Sequence, residues 1–121
     1  MTLDDTIAYL GFLDADVAAG VLRAGDAHVG DHVRRSLHGG VLAAFCEHVA
    51  AARLEEVTGR VAEAVTVTCD FLREAEVADT FAETEIVRSG RRFATVIVTA
   101  RQADADRVVA ICTATFALVD P

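Results

Sequence analysis

The stretch from Leu37 to Leu54, LHGGVLAAFCEHVAAARL, holds the residue types and spacing best suited to chemistry. Gly39 and Gly40 precede an apolar run, and glycine lets a ligand approach the backbone closely. The first N–H groups of a helix have no intrahelical acceptor and lie at the positive end of its dipole. They suit a carbonyl oxygen that gains negative charge during acyl transfer. The alternative is that the glycines only form a tight turn or allow close helix packing.

Glu47 is the second candidate, because it interrupts a run that is apolar on every side of a helix. A helix apolar all round is normally buried, and a buried carboxylate is costly unless it is paired or used. An apolar surround is also one route to a carboxylate that exchanges protons near neutral pH. The alternative is a thin solvent-facing stripe. His48 lies about 100° further round the helix and is expected to be packed rather than a partner of Glu47.

The spacing of these two features constrains the quaternary structure. Gly39 and Glu47 are eight residues apart, which is about 12 Å along a helix. A reacting carbonyl must lie roughly 3 Å from both its hydrogen-bond donor and its attacking group. Two antiparallel copies of the helix meet this condition and one does not. If the site is catalytic, we therefore expect a dimer in which Gly39 of one subunit faces Glu47 of the other.

Composition limits the class of protein. With 121 residues, 53% of them apolar and 25% charged, the chain is expected to form one globular domain. The net charge of -8 argues against nucleic acid and anionic membrane as partners. The sequence shows neither a secretory signal nor a membrane-spanning run. Cys46, Cys69 and Cys112 are odd in number and form no CxxC pair, which favours free thiols in a reducing cytoplasm over a disulfide framework.

The elements that position these residues follow from periodicity. A short helix is predicted over 4–10, a strand over 15–23 and an irregular connection over 25–36. The Gly39-Gly40 pair leads into a long helix that ends near Gly59, a plausible C-cap. Residues rich in Val, Ile, Thr and Phe predict strands over 63–71, 80–88, 93–101 and 107–119. One apolar helix followed by an antiparallel meander is α+β, and its unpaired edge strand favours dimerisation.

Three segments in the right order resemble hotdog-fold acyl-CoA thioesterases of the phenylacetate-pathway and 4-hydroxybenzoyl-CoA types. LHGGVLAAFCE is similar to the helix signature of that family, in which HGG is followed, nine positions after its histidine, by Asp or Glu. His38 and Glu47 have this spacing. VTVTCDFLREA is similar to the strand ending in FLRPA, and IVRSGRRFATVIVTA to a hairpin containing GRR. The resemblance covers roughly residue 15 to the end of the chain.

The resemblance implies a central helix wrapped by an antiparallel sheet of about five to six strands, in one domain spanning 1–121. It implies homodimers that often pair into homotetramers, and hydrolysis of an acyl-CoA without metal or cofactor, CoA being part of the substrate. By the family pattern Glu47 is the nucleophile or the general base that activates water. His38 opens the motif, and the N–H of Gly39 or Gly40 polarises the thioester carbonyl.

Other roles implied by the resemblance concern the substrate. Basic residues at the mouth of the site are expected to meet the CoA phosphates, and the candidates are Arg73, Arg91 and Arg92. Where the family has Asn or Gln six positions before the HGG histidine, this chain has His32. A family Ser or Thr near the carboxylate is replaced by Ala64, with Thr66 and Thr68 predicted further along the same face.

Several alternatives stay open at this stage. The four histidines, His28, His32, His38 and His48, show no ligand spacing typical of a metal site. Cys46 is expected to be a core thiol rather than a nucleophile. His32 keeps open a hotdog-type hydratase or dehydratase acting on enoyl or 3-hydroxyacyl thioesters. His32 and Ala64 together keep open a non-catalytic protein that binds acyl-CoA or serves in assembly.

Overall fold

The computed structural model describes residues 15–23, 29–31, 36–104 and 106–121. These residues form one helix, α1 (Gly39–Thr58), and eight strands: β1 (Ala15–Asp16), β2 (Val21–Leu22), β3 (Val29–Asp31), β4 (Ser36–Leu37), β5 (Val61–Phe71), β6 (Thr80–Ser89), β7 (Phe93–Gln102) and β8 (Val108–Val119). The helix predicted over 4–10 lies outside the described residues, as do His28 and His32.

One antiparallel sheet dominates the fold, with strand order β1-β2-β6-β7-β8-β5. A separate hairpin joins β3 and β4. Helix α1 contacts each of the four long strands β5 to β8, so the sheet curls around it. The α+β prediction of one long helix against an antiparallel sheet of five to six strands is confirmed. Across the described residues, no helix combines the length and apolarity needed to cross a membrane.

Both ends of α1 are fixed by local chemistry. At the start, His38 is the N-cap, with extended backbone angles. At the end, Gly59 adopts the left-handed conformation, with φ of 69°, and donates its N–H to the Glu55 carbonyl at 2.9 Å. A left-handed C-cap favours glycine, since other residues pay a steric cost there. The helix end predicted near Gly59 is therefore confirmed.

The core lies between α1 and the inner face of the sheet. In β7 and β8 alternate side chains are buried, as expected for strands with one face covered. The largest fully buried apolar side chains include Phe45 and Leu42 on the helix and Phe116 on β8. Each such side chain contributes about 1.5–3 kcal/mol of transfer free energy when fully buried. These contacts hold the long axis of α1 against the sheet.

The prediction of one continuous strand over 15–23 is wrong, because this range forms the two short strands β1 and β2. A turn separates β1 from β2, closed by the Gly20 N–H donating to the Val17 carbonyl at 3.2 Å. Gly20 has φ of 70°, and a Cβ there would stand 2.6 Å from the Ala82 carbonyl oxygen. Glycine is required by both the conformation and the space. The predicted irregular connection over 25–36 likewise contains β3 and the start of β4.

The prediction that the cysteines are free thiols is wrong for two of the three. Cys69 on β5 and Cys112 on β8 are directly paired across the two strands, and their sulfur atoms form a disulfide. Their separation of 43 residues conceals this contact in the sequence. Only the strand register brings them together, because directly opposed residues of an antiparallel pair have close Cβ atoms. Cys46 is a free, buried thiol, as expected, and burial raises its pKa to about 12.

Candidate active site

A groove of about 530 Å³ runs along the exposed side of α1, a size within the range of ligand sites. The helix lines it with residues one turn apart, and β5 lines it with alternate residues. The lining residues are Gly39, Gly40, Ala43, Ala44 and Glu47 from α1, and Val67, Cys69 and Phe71 from β5. Both features singled out in the sequence, the glycine pair and Glu47, therefore lie in one groove.

His38 decides which N–H at the helix start is available. The Nδ1 atom of His38 accepts a hydrogen bond from the Gly40 N–H at 2.9 Å, which requires a ring unprotonated at Nδ1. Within the described part of the chain, the Gly39 N–H has no acceptor. The first turn thus offers Gly39, rather than Gly40, as the donor to a ligand in the groove.

The two glycines have different steric reasons for lacking a side chain. A Cβ on Gly40 would lie 2.9 Å from Cε1 of His38, so the capping ring would have to move. A Cβ on Gly39 would lie 3.5 Å from the Phe71 ring, an ordinary contact. Gly40 is therefore explained by the cap itself. Nothing among its described neighbours excludes a methyl group at Gly39.

Glu47 lies in the groove with 33% of its side chain exposed, which is closer to the solvent-facing alternative than to full burial. Ala43 and Ala44, one turn earlier, are small and leave its carboxylate open to the groove. Among the described residues, Nδ1 of His48 lies 3.9 Å from Oε2 of Glu47, beyond hydrogen-bond distance. The His48 ring instead contacts the Ala44 carbonyl at 2.7 Å, as expected for a packed histidine. Among described residues no hydrogen bond occupies the Glu47 carboxylate.

Thr66 and Thr68 lie on the face of the sheet that points away from helix α1 and the groove. Ala64 pairs with Phe116, which is buried against the helix, but the next pair is Thr66 with Thr115. Val65 is thus an extra residue in β5, a bulge that reverses the faces of the residues after it. The predicted alternation from Ala64 to Thr66 does not hold, and neither threonine lines the groove.

The three candidate arginines are divided between opposite ends of the sheet. Arg73 lies two residues after Phe71, the last residue of β5, at the end of the groove formed by Gly39. Arg91 and Arg92 lie in the β6–β7 hairpin, where the Arg92 carbonyl accepts from the Leu118 N–H at 2.8 Å. Leu118 lies eight positions along β8 from Ala110, the partner of Phe71, which corresponds to about 27 Å. Of these three arginines, one chain therefore presents only Arg73 near Gly39.

Phe71, Val67 and Cys69 are groove residues that the sequence analysis did not assign. Their signal is weak, because period-two apolar residues in a strand are normally core. Phe71 is 53% exposed, and its ring lies beside Gly39. In the part of the chain that is described, no group of three or more His, Cys, Asp or Glu residues could hold a metal ion.

Residues 27–117 match the family described as the acyl-CoA thioesterase N-terminal domain. This chain is a member of that family. The matched range contains the helix α1 with its glycine pair and Glu47, the strands β5 to β7 and most of β8. The resemblance inferred from three sequence segments is thereby confirmed. No curated protein matches the chain.

Solved structures show the same fold, the hotdog fold, for this member of the thioesterase family. A candidate thioesterase from Ralstonia eutropha JMP134, a phenylacetic acid degradation-related protein, is 26% identical, with a TM-score of 0.74 over 91% of this chain and 89% of that one. A Bacillus halodurans protein solved with CoA is 19% identical, with a TM-score of 0.72 over 82% and 65%. A variant of a Staphylococcus aureus subsp. aureus Mu50 thioesterase is 17% identical, with a TM-score of 0.77 over 94% and 99%.

Proposed function

We propose that this thioesterase-family protein hydrolyses acyl-CoA thioesters to CoA and a carboxylic acid. The observation that carries the proposal is the common groove of Gly39 and Glu47, which offers an N–H donor and a carboxylate without described hydrogen-bond partners. The Gly39 N–H of one subunit polarises the thioester carbonyl, and the Glu47 carboxylate supplied by the other subunit acts as nucleophile or as the base that activates water. The CoA bound to the Bacillus halodurans relative supports this substrate class.

The active form is a homodimer with composite sites. Strand β5 is one edge of the sheet and is 11 residues long, whereas the other edge is the two-residue strand β1. Long unpaired edges favour pairing with another chain, and very short edge strands do not. A two-fold axis normal to the sheet at β5 makes both the paired strands and the two α1 helices antiparallel. Gly39 then approaches Glu47 of the partner subunit.

The same symmetry accounts for the divided arginines. In an antiparallel β5 pair, the Phe71 end of one strand meets the Val61 end of its partner. Val61 pairs with Val119, next to the hairpin that carries Arg91 and Arg92. The partner's hairpin is thus brought to the end of the groove where Arg73 lies. We assign these arginines to the CoA phosphates, in a cytoplasmic enzyme that draws on the acyl-CoA pool; further pairing of dimers into tetramers is compatible with this arrangement.

The test is thiol release from short, medium and aryl acyl-CoAs, with Glu47→Ala and Glu47→Gln beside the wild type. We expect both variants to lose activity by about 10²-fold or more, the usual contribution of a general base. Full activity in Glu47→Ala would refute the assignment. Hydration of an enoyl-CoA without thiol release would move it to the hydratase class, and CoA binding without either reaction to a non-catalytic binding protein. Incorporation of solvent oxygen-18 into Glu47 after one turnover distinguishes nucleophile from base.

A further inference from the structure

In the Cys69–Cys112 disulfide, Cys69 is partly exposed to the groove and Cys112 is buried. Cys69 is half-buried and lines the groove, whereas Cys112 is 1% exposed beneath it. Thiol–disulfide exchange requires a thiolate to reach a disulfide sulfur, so access decides which sulfur is attacked. Any thiol that enters the groove therefore meets the disulfide from the Cys69 side.

The position of Cys69 in the groove supplies the attacking thiol. Gly39, Glu47 and Cys69 line the same 530 Å³ space. Hydrolysis of an acyl-CoA between Gly39 and Glu47 of the partner subunit releases a thiol at the Gly39 end of this groove, so this step of the reasoning depends on the proposed function. The rest of the groove is formed by glycine, alanine, valine and phenylalanine, none of which carries a competing electrophile. The released thiol is thus held beside a disulfide.

We propose that Cys69 is a modification site, at which the CoA thiol released in the groove forms a mixed disulfide with the protein. The CoA thiolate attacks Sγ of Cys69, a new S–S bond forms, and the Cys69–Cys112 bond breaks. Cys112 leaves as a thiolate and takes up a proton. One disulfide is exchanged for another, so no further oxidant is needed. The reaction is reversed when Cys112 attacks Cys69 and CoA departs.

The modification has a direct consequence for the groove. A CoA moiety bonded to Cys69 occupies the space that the next acyl-CoA needs, next to Glu47 and Gly39. We expect the fraction of activity lost to equal the fraction of protein modified, and an added reductant to restore it. The pair Cys69 and Cys112 thereby makes hydrolysis sensitive to the ratio of CoA to reductant.

The test is intact-mass spectrometry of the oxidised full-length chain incubated with CoA in the absence of reductant. We expect a mass increase of one CoA and one new titratable thiol per chain. Trypsin places the three cysteines on separate peptides, 36–53, 61–73 and 108–121, because arginines precede and end the first two. CoA should be found on the 61–73 peptide. S-methyl-CoA, which lacks the thiol, should give no adduct.

Two comparisons make the experiment specific. CoA should react at a rate that saturates with concentration and exceeds that of glutathione at least tenfold, because CoA binds the groove first. Equal, non-saturating rates, or CoA on the 36–53 or 108–121 peptide, would overturn the inference. Cys112→Ala should fail to react with CoA yet form the adduct with CoA disulfide. Cys46→Ala is the matched control and should react as the wild type does, since Cys46 is buried away from the groove.

Failure of this inference is distinguishable from failure of the proposed function. Hydrolysis is measured separately, on the fully reduced protein. Hydrolysis without a saturable adduct overturns the modification site and leaves the thioesterase assignment intact. A saturable adduct without hydrolysis leaves a CoA-thiol exchange site at Cys69 and removes the released product as its source. Because peptide mapping of the wild type locates the adduct by itself, the result does not depend on whether a cysteine variant folds.

Discussion

Replacing Gly39 and Gly40 by alanine, one at a time, distinguishes an effect on catalysis from an effect on stability. There is room for a methyl group at Gly39 but not at Gly40. At Gly39 the added methyl group would lie 3.5 Å from the Phe71 ring, in ordinary contact. It would be in the first turn of α1, where alanine restricts the unfolded chain more than glycine does. We therefore expect Gly39→Ala to change the free energy of unfolding by between 0 and about +1 kcal/mol.

The same methyl group should impair the reaction. It would occupy the groove between the helix start and Phe71, where the thioester oxygen must come within about 3 Å of the N–H. Loss of one such donor typically lowers kcat by about 10²–10³-fold, or roughly 2.7–4 kcal/mol of transition-state stabilisation. We expect Gly39→Ala to lose about 10²-fold in kcat while its unfolding midpoint in urea is unchanged or shifted upward.

Gly40→Ala is the matched control and should behave in the opposite way. Its methyl group would stand 2.9 Å from Cε1 of His38 and displace the capping ring. Loss of an N-cap costs about 0.5–2 kcal/mol, so this variant should unfold at lower denaturant concentration. The measurements are urea unfolding followed by circular dichroism and thiol release from acyl-CoA. Full kcat in Gly39→Ala, with normal stability, would refute the assignment of its N–H to the carbonyl.

Four further predictions test the site and the fold. Glu47→Gln should leave the free energy of unfolding within about 0.5 kcal/mol of the wild type, since the carboxylate is a third exposed; a larger shift in urea unfolding would indicate a structural role. Val65→Lys places a charge on the exposed edge of β5 and should give a monomer by light scattering that releases no thiol from acyl-CoA; an active monomer would contradict the composite site. Arg60→Ala removes three side-chain hydrogen bonds that tie the start of β5 to the β6–β7 hairpin and the end of β8. It should cost about 1–3 kcal/mol of stability with kcat retained; unchanged stability would contradict this clamp. Burial raises the pKa of the Cys46 thiol from 9.0 to about 12. Its contribution to stability is therefore complete below pH 9 and is lost as the pH rises further. The free energy of unfolding, measured from pH 8 to 10.5, should depend less on pH in Cys46→Ala than in the wild type.

The sequence determined the elements that carry the site. The apolar run after Gly39-Gly40 fixed a helix ending at Gly59, and period-two apolar patterns fixed the four long strands, because both periodicities are local properties. The segment from His38 to Glu47, on which the resemblance depended, lies within the range that matches the family. The eight-residue spacing sets the distance from Gly39 to Glu47 on one helix, whatever the tertiary structure.

The tertiary structure decided which neighbours these elements acquire. A single extra residue at Val65 turned Thr66 and Thr68 away from the groove, a shift that no alternation pattern predicts. The register of β5 and β8 joined Cys69 to Cys112 across 43 residues. Which N–H at the helix start is bonded to a side chain depends on where the His38 ring lies, since that ring accepts from Gly40. Each of these depends on pairing or packing between distant or differently oriented groups, which sequence spacing does not encode.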